Sequence, residues 1–129
     1  FHIIDEMNAR GWYIQPQLAF DTSKENVHMS ISAANVEWVE PFLEDLKVCT
    51  EKAKTMKSGE LAAVAKEAFA GVDPDELTEE TIGEMLGMAG IEGTSLPERM
   101  ADINAILNSL PGRLRERLLV AYLNDLFRS

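Results

Sequence analysis

The stretch Asp5-Glu-Met-Asn-Ala-Arg-Gly11-Trp-Tyr-Ile-Gln-Pro16, continued after a polar loop by Val27-His-Met-Ser-Ile-Ser32, decides the fold of this chain. It begins as the end of a helix, and Gly11 is placed to adopt the left-handed conformation that stops a helix. The next residues, Trp12-Tyr-Ile14, are strand formers. Pro16 cannot donate a hydrogen bond to a sheet, so we expect it at an edge or a bend.

The second half of this stretch predicts a strand that pairs with the first. Val27, Met29 and Ile31 alternate with polar residues, which predicts a strand with one buried face. The polar run 21–26 between the two strands is typical of a hairpin tip. The two strands should therefore form an antiparallel hairpin.

A long amphipathic helix follows the predicted hairpin. Pro41 is unfavourable inside a helix, so the regular helix begins near it or bends there. A hairpin laid on such a helix is a small α+β sandwich, which we predict for residues 1–57. The apolar stripe of the helix recurs at three- and four-residue steps; it consists of Val39, Phe42, Leu43, Leu46, Cys49, Ala53 and Met56.

Residues 58–129 carry only helical patterns, and we predict a helical C-terminal extension packed on residues 1–57. Asp73-Pro-Asp-Glu76 is a helix-start motif, and Thr78 is an alternative start. Ser95-Leu-Pro-Glu98 is a further capping box. The helix after Pro111 is apolar on nearly all sides, so we expect it to be deeply buried, or partly buried against another chain.

Composition limits the classes of function. With 129 residues and 46% apolar content, the chain is one domain, or one small domain with an appendage. Its net charge of −10 argues against nucleic acid as a partner. Arg113, Arg115 and Arg117 form the only basic cluster, and a solvated helix face is the favoured interpretation. No apolar run approaches the ~20 residues of a membrane helix.

The single cysteine, Cys49, excludes an intrachain disulfide and suits a reducing compartment, so we expect a cytoplasmic location. It falls within the apolar stripe of the long helix. A core cysteine is therefore favoured over a nucleophile, because a reactive thiol needs exposure and a lowered pKa.

The sequence contains no complete active site that residue chemistry alone would identify. His2 and His28 are far apart and have no cysteine pair beside them, so no zinc site is predicted. His28 lies on the polar face of its strand, where a surface or hydrogen-bonded histidine is the ordinary interpretation. The glycine-rich segment 83–93 matches no phosphate-binding loop. We therefore predict no catalytic, cofactor-binding or metal-binding residue.

Three segments carry a resemblance to a known enzyme family. Met7-Asn-Ala-Arg-Gly-Trp12, the hairpin that ends in Val27–Ser32, and the helix Val39–Leu46 resemble the C-terminal small domain of pyridoxal-phosphate-dependent group II decarboxylases. Within that group they are most similar to the sphingosine-1-phosphate lyase type. Gly83–Ala89 and Leu123–Phe127 are similar in character to the terminal helices of that lyase.

The resemblance implies a parent enzyme of fold type I, a homodimer, with a large cofactor domain before Phe1. In such enzymes a lysine of the large domain holds pyridoxal phosphate, and the family's Ser-x-His-Lys motif is absent from this sequence. The first strand and its bend would approach the substrate cleft. Gln15 and Gln17, with His28 on the neighbouring strand, are the cleft candidates, although ordinary strand-end glutamines are the common alternative.

Two hypotheses about function follow. In the first, the chain is the small domain of a pyridoxal-phosphate lyase or decarboxylase, inactive alone, which covers the active site and braces the dimer. The parent would cleave a phosphorylated amino alcohol by a retro-aldol reaction, or remove carbon dioxide from an amino acid. In the second, it is a self-standing α+β interaction or ligand-sensing module that uses its last helix as the contact face. A cofactor-lysine motif encoded upstream would favour the first hypothesis.

Overall fold

The computed structural model describes residues 1–57, 59–88 and 96–128. The chain divides into two compact units, Phe1–Ser58 and Gly59–Ser129. The first unit holds α1 (His2–Asn8), β1 (Gln15–Gln17), β2 (Asn26–His28), a 3-10 helix (Ala33–Trp38) and α2 (Val39–Lys54). The second unit holds α3 (Glu60–Ala68), a 3-10 turn (Pro74–Glu76), α4 (Glu79–Met88), α5 (Ala101–Ser109) and α6 (Gly112–Arg128).

The predicted α+β class is confirmed, because the described residues form an antiparallel hairpin and otherwise helices. The prediction that the second unit packs on the first stays a prediction.

The left-handed stop that the sequence predicts after α1 is confirmed at Gly11. Gly11 has a φ of +89°, in the left-handed region where a side chain would be strained. Its N–H donates to the carbonyl of Asn8 at 2.9 Å, and the N–H of Trp12 donates to the carbonyl of Met7 at 3.1 Å. This pair of bonds is the Schellman motif, which satisfies the last carbonyls of the helix and turns the chain toward the hairpin.

The core of the first unit lies between α1 and α2. Ile4, Met7, Ile14 and Cys49 are buried in it. The carboxylate of Glu6 is also buried, and Lys52 Nζ lies 2.6 Å from its Oε2. Such a pairing is required because a buried charge without a partner costs several kcal/mol.

The hairpin is shorter than predicted and begins later. Its register places Gln15 opposite His28, Pro16 opposite Val27 and Gln17 opposite Asn26. Because the sheet has only two strands, Pro16 lies in an edge strand, as its missing N–H requires.

The prediction that the second strand has one buried face is wrong. Val27, Met29 and Ile31 are 39%, 42% and 83% exposed. The strand ends at His28, so the alternation in the sequence continues beyond the paired residues. Two three-residue strands are also too small a sheet to bury a face of their own.

Helix α2 begins at Val39, which places Pro41 in the first turn, where its missing N–H costs nothing. The C-terminal part of the predicted stripe is at least partly buried, with Cys49 deepest. Val39 and Leu43, at the N-terminal end of the stripe, are exposed instead.

The second unit has its own core, formed by Ile82, Leu110, Leu114 and Leu118. Helices α3 and α5 also contact each other. Both predicted helix starts before α4 are confirmed as caps. Asp73 Oδ1 accepts the N–H of Asp75 at 2.9 Å, and Thr78 Oγ1 accepts the N–H of Thr81 at 3.2 Å.

Helix α6 is not deeply buried on all sides within its unit. Leu114 and Leu118 are buried, and the opposite side is exposed. Burial against another chain stays a prediction. The predicted capping residue Ser95 and the glycines at 90 and 93 lie outside the described residues. The exposed apolar side chains of α6 are Leu119, Val120, Leu123, Leu126 and Phe127.

Candidate functional site

The hairpin brings together the three residues that the sequence suggested for the substrate cleft. Gln15 and His28 are directly opposite each other in the sheet. Gln17 Nε2 lies 3.3 Å from His28 Nδ1. The amide nitrogen of Gln17 donates in this contact and Nδ1 accepts. Whether these side chains contact substrate stays a prediction.

Tyr13 extends this polar cluster, and the sequence reasoning missed it. Gln15 Nε2 donates to the Tyr13 hydroxyl oxygen at 2.9 Å, and Tyr13 is 83% exposed. The two-residue period of a strand places 13, 15 and 17 on one face, which is the pattern that could have found it. We call Tyr13, Gln15, Gln17 and His28 the polar face of the hairpin.

The polar face can bind a polar ligand. Its four side chains are exposed and supply amide, phenol and imidazole groups. Groups of this kind fix the orientation of a polar ligand through hydrogen bonds.

A polar cluster behind the hairpin holds Trp12 against α2. Trp12 Nε1 donates to Asp45 Oδ2 at 2.8 Å, and Arg10 Nη1 donates to Asp45 Oδ1 at 3.4 Å. The same guanidinium nitrogen lies 3.6 Å from Cys49 Sγ. These contacts fix the ring of Trp12, which lines the apolar groove described below.

Cys49 is a core cysteine, as predicted. Burial raises the pKa of its thiol, and the nearby Arg10 guanidinium opposes that rise in pKa. A buried thiol with a raised pKa holds little thiolate at neutral pH, which disfavours nucleophilic reactivity.

The first unit contains an apolar groove of about 400 Å³. The ring of Trp12 meets the rings of Trp38 and Phe42 edge to face, with centroids 6.4 and 5.2 Å away. We call this the aromatic groove. Its lining residues are Trp12, Tyr13, Ile14, Met29, Ser30, Ile31, Asn35, Trp38, Val39, Phe42 and Leu43.

The second unit contains a groove of about 410 Å³ beside α6, lined in part by charged side chains. Arg113 Nη2 lies 2.7 Å from Asp75 Oδ2, and Arg117 Nη2 donates to the carbonyl of Leu77 at 3.0 Å. The interpretation of this basic cluster as a solvated face is therefore incomplete. Two of its arginines tie α6 to the segment before α4.

Neither of the two grooves fits pyridoxal phosphate. That cofactor needs a lysine beside a phosphate-binding loop, and neither groove has a lysine among its lining residues. No chemical step is therefore assigned to these residues. Within residues 1–57, 59–88 and 96–128, no three His, Cys, Asp or Glu side chains form a group that could hold a metal ion. No helix in the described part of the chain is long and apolar enough to cross a membrane.

Comparison with known protein families matches residues 60–125, about half of the chain, to the family described as "Pyridoxal-dependent enzyme, C-terminal putative HTH domain". The chain belongs to this family. The match covers α3 to α5 and most of α6, and it supports the pyridoxal part of the resemblance stated above. It does not show the group II decarboxylase or sphingosine-1-phosphate lyase type. No curated protein and no solved structure matches the chain.

Two helices joined by a short connection overlap the matched region. Helix α5 ends at Ser109 and α6 begins at Gly112, so only two residues join them. The Pro111-Gly112 pair is the pattern in the sequence that marks this turn. Nucleic-acid readers of this shape need free basic side chains. Here Arg113 and Arg117 bind groups of their own unit.

Proposed function

We propose that the chain is the C-terminal part of a pyridoxal-phosphate-dependent carbon–carbon lyase or decarboxylase, of the sphingosine-1-phosphate lyase or amino-acid decarboxylase type. It covers the active site of that enzyme, braces its dimer and is inactive alone. Membership of a family of pyridoxal-dependent enzyme C-terminal domains supports the cofactor context.

The observation that carries the covering role is the polar face of the hairpin. Gln15, Gln17 and His28 come from two strands, and the hairpin places them side by side on one exposed face. A lid that closes over a substrate needs groups that bind polar atoms and exclude water without entering the chemistry. Uncharged amides and an imidazole meet that need.

The reaction of the parent would break a bond next to an amine-bearing carbon. The cofactor, bound by the rest of the enzyme, supplies the electron sink for that cleavage. The role of the polar face is to bind and orient the polar end of the substrate. The exposed apolar side of α6 is the surface offered for bracing the dimer, and a cytoplasmic location fits the single buried thiol.

Kinetics of the complete enzyme test the covering role. The double change Gln15→Ala and His28→Ala should raise KM for the amine substrate about tenfold, since each lost hydrogen bond contributes about 0.5–1.5 kcal/mol. The visible absorbance of the bound cofactor should not change.

Val27→Ala is the matched control, because Val27 lies on the same strand but on the opposite face of the hairpin. It should leave KM within about twofold of the unchanged enzyme. An unchanged KM in the double variant would refute the covering role. If the double variant lost the absorbance of the bound cofactor, Gln15 and His28 would have a structural role instead.

A further inference from the structure

The walls of the aromatic groove are uncharged and largely apolar. None of its lining residues carries a formal charge. The volume of about 400 Å³ falls within the range of about 300–1,000 Å³ that small-molecule sites occupy. The groove therefore has the size and the surface of a ligand site.

The aromatic rings are held in place before any ligand arrives. Trp12 is fixed by its hydrogen bond to Asp45 and by near-perpendicular contacts with Trp38 and Phe42, at interplanar angles of 77° and 86°. Trp38 remains 58% exposed, so much of its ring surface is accessible. Aromatic faces carry partial negative charge and attract cations that come within ~6 Å.

Three carboxylates are close in the chain to residues that line the groove, and Lys47, which follows them on α2, forms no ion pair with any of the three among the described residues. Glu37, Glu40 and Glu44 each adjoin a lining residue in the chain and are exposed. In the described part of the chain none of the three has an ion-pair partner. Residues 29–46 contain no lysine or arginine, and the fourth acid of the segment, Asp45, is shared with Arg10.

We propose that the aromatic groove binds a small organic cation: an ammonium group joined to an apolar chain. The apolar lining takes the hydrocarbon, while the aromatic faces and the flanking carboxylates attract the ammonium. This inference does not rest on the pyridoxal chemistry, because the groove is formed by the first unit alone.

Other occupants fit the groove less well. An anionic amphiphile would meet the uncompensated charge of Glu37, Glu40 and Glu44. A neutral amphiphile would gain only from burial of its apolar surface. A partner helix usually anchors through several side chains along two or more turns, which is a larger surface than this groove offers.

The fluorescence of the whole 129-residue chain reports on occupancy directly. The chain has two tryptophans, and both line the groove. Three probes of equal chain length separate the contributions: octyltrimethylammonium, octanoate and 1-octanol, each below the concentration at which it aggregates. We expect a saturable fluorescence change with the cation at a Kd roughly tenfold below that of the alcohol, which corresponds to about 1.4 kcal/mol. Octanoate should bind most weakly, and added salt should weaken cation binding only.

Two variants test the parts of the site separately. The triple change Glu37→Gln, Glu40→Gln and Glu44→Gln should bring the Kd of the cation toward that of the alcohol and leave alcohol binding unchanged. Trp38→Leu, with Trp12 as the remaining reporter, should reduce the preference for the cation severalfold. Glu67→Gln, an exposed carboxylate on α3, is the control and should change neither Kd. Circular dichroism of each variant verifies folding.

Three results would overturn the proposal. Equal affinity for the three probes would show an unspecific apolar surface. Absence of a saturable fluorescence change at millimolar cation would show no site. Selective binding of a basic amphipathic peptide, with no response to octyltrimethylammonium, would make the groove a protein-docking surface.

Discussion

The two units of the chain each contain a groove of about the same volume, but the charged residues near the two grooves differ in how they are paired. Beside the second groove, Arg113 binds Asp75 and Arg117 binds the carbonyl of Leu77, so these two charges have partners within their own unit. Beside the aromatic groove, Glu37 and Glu44 have no such partner in the described residues. A carboxylate without an ion-pair partner keeps its charge available to a cationic ligand, which is the basis of the proposal for the aromatic groove.

The units also differ in where their apolar side chains lie. The first unit buries a small core between α1 and α2 and leaves its hairpin exposed. The second unit buries one side of α6 and leaves the other side exposed. The family match covers only the second unit. Each unit has its own core, so the stability of the two units can be tested separately.

The largest expected effect separates the buried side of α6 from its exposed side. Leu114 is fully buried, so Leu114→Ala should lower the free energy of unfolding of the second unit by about 2–5 kcal/mol. Leu123→Ala, on the exposed side, should cost less than about 1 kcal/mol. Hydrogen exchange resolved by residue measures both. Equal losses would show that the exposed side is also covered.

Replacing Gly11 and Gly83 by alanine should change the stability of their units in opposite directions. Gly11→Ala, at a φ of +89°, should destabilise the first unit by about 1–2 kcal/mol. Gly83→Ala, in α4 with no atom within 4 Å of an added Cβ, should stabilise the second unit by up to about 1 kcal/mol. Thermal unfolding followed by circular dichroism measures both changes. A stabilising Gly11→Ala would contradict the left-handed stop of α1.

The smallest effect concerns the pH dependence of the first unit. Burial raises the pKa of Cys49 above that of an unfolded thiol, which is about 8.5. As the pH rises, the unfolded state releases the Cys49 proton before the folded state does. The contribution of the Cys49 thiol to the free energy of unfolding is therefore complete below pH ~8.5 and is lost as the pH rises toward the pKa of the folded state.

Urea unfolding between pH 7 and 10 should show this decrease in the free energy of unfolding. In Cys49→Ala, the part of the decrease that comes from the thiol should be absent. Native Cys49 should also react slowly with a thiol reagent until urea unfolds the chain. Fast labelling of the native chain would contradict the burial of the thiol.

Local features of the fold could be predicted from the sequence. The glycine stop after α1, the caps at Asp73 and Thr78, and the hairpin all depend on residues that are near one another in the chain. The exposure of Ile31 could not be predicted, because alternation shows which residues share a face but not whether anything covers that face.

The candidate site could be predicted in part. Strand periodicity was enough to place Gln15 and Gln17 on one face, and the pairing register added His28. The hydrogen bond from Gln15 to Tyr13 and the contact of Arg117 with Leu77 depend on side-chain positions that folding alone determines. The aromatic groove joins residues from the turn after α1, the segment after β2, the 3-10 helix and α2, which no single sequence motif contains.

The central claim is that this chain covers a pyridoxal-phosphate site that the rest of the enzyme builds. The most direct test is reduction of the complete enzyme with borohydride in the presence of the cofactor, followed by peptide mass spectrometry. We predict that the cofactor is fixed to a lysine outside residues 1–129. The 129-residue chain alone should show no stable cofactor absorbance. A specifically modified lysine within residues 1–129 would contradict the account.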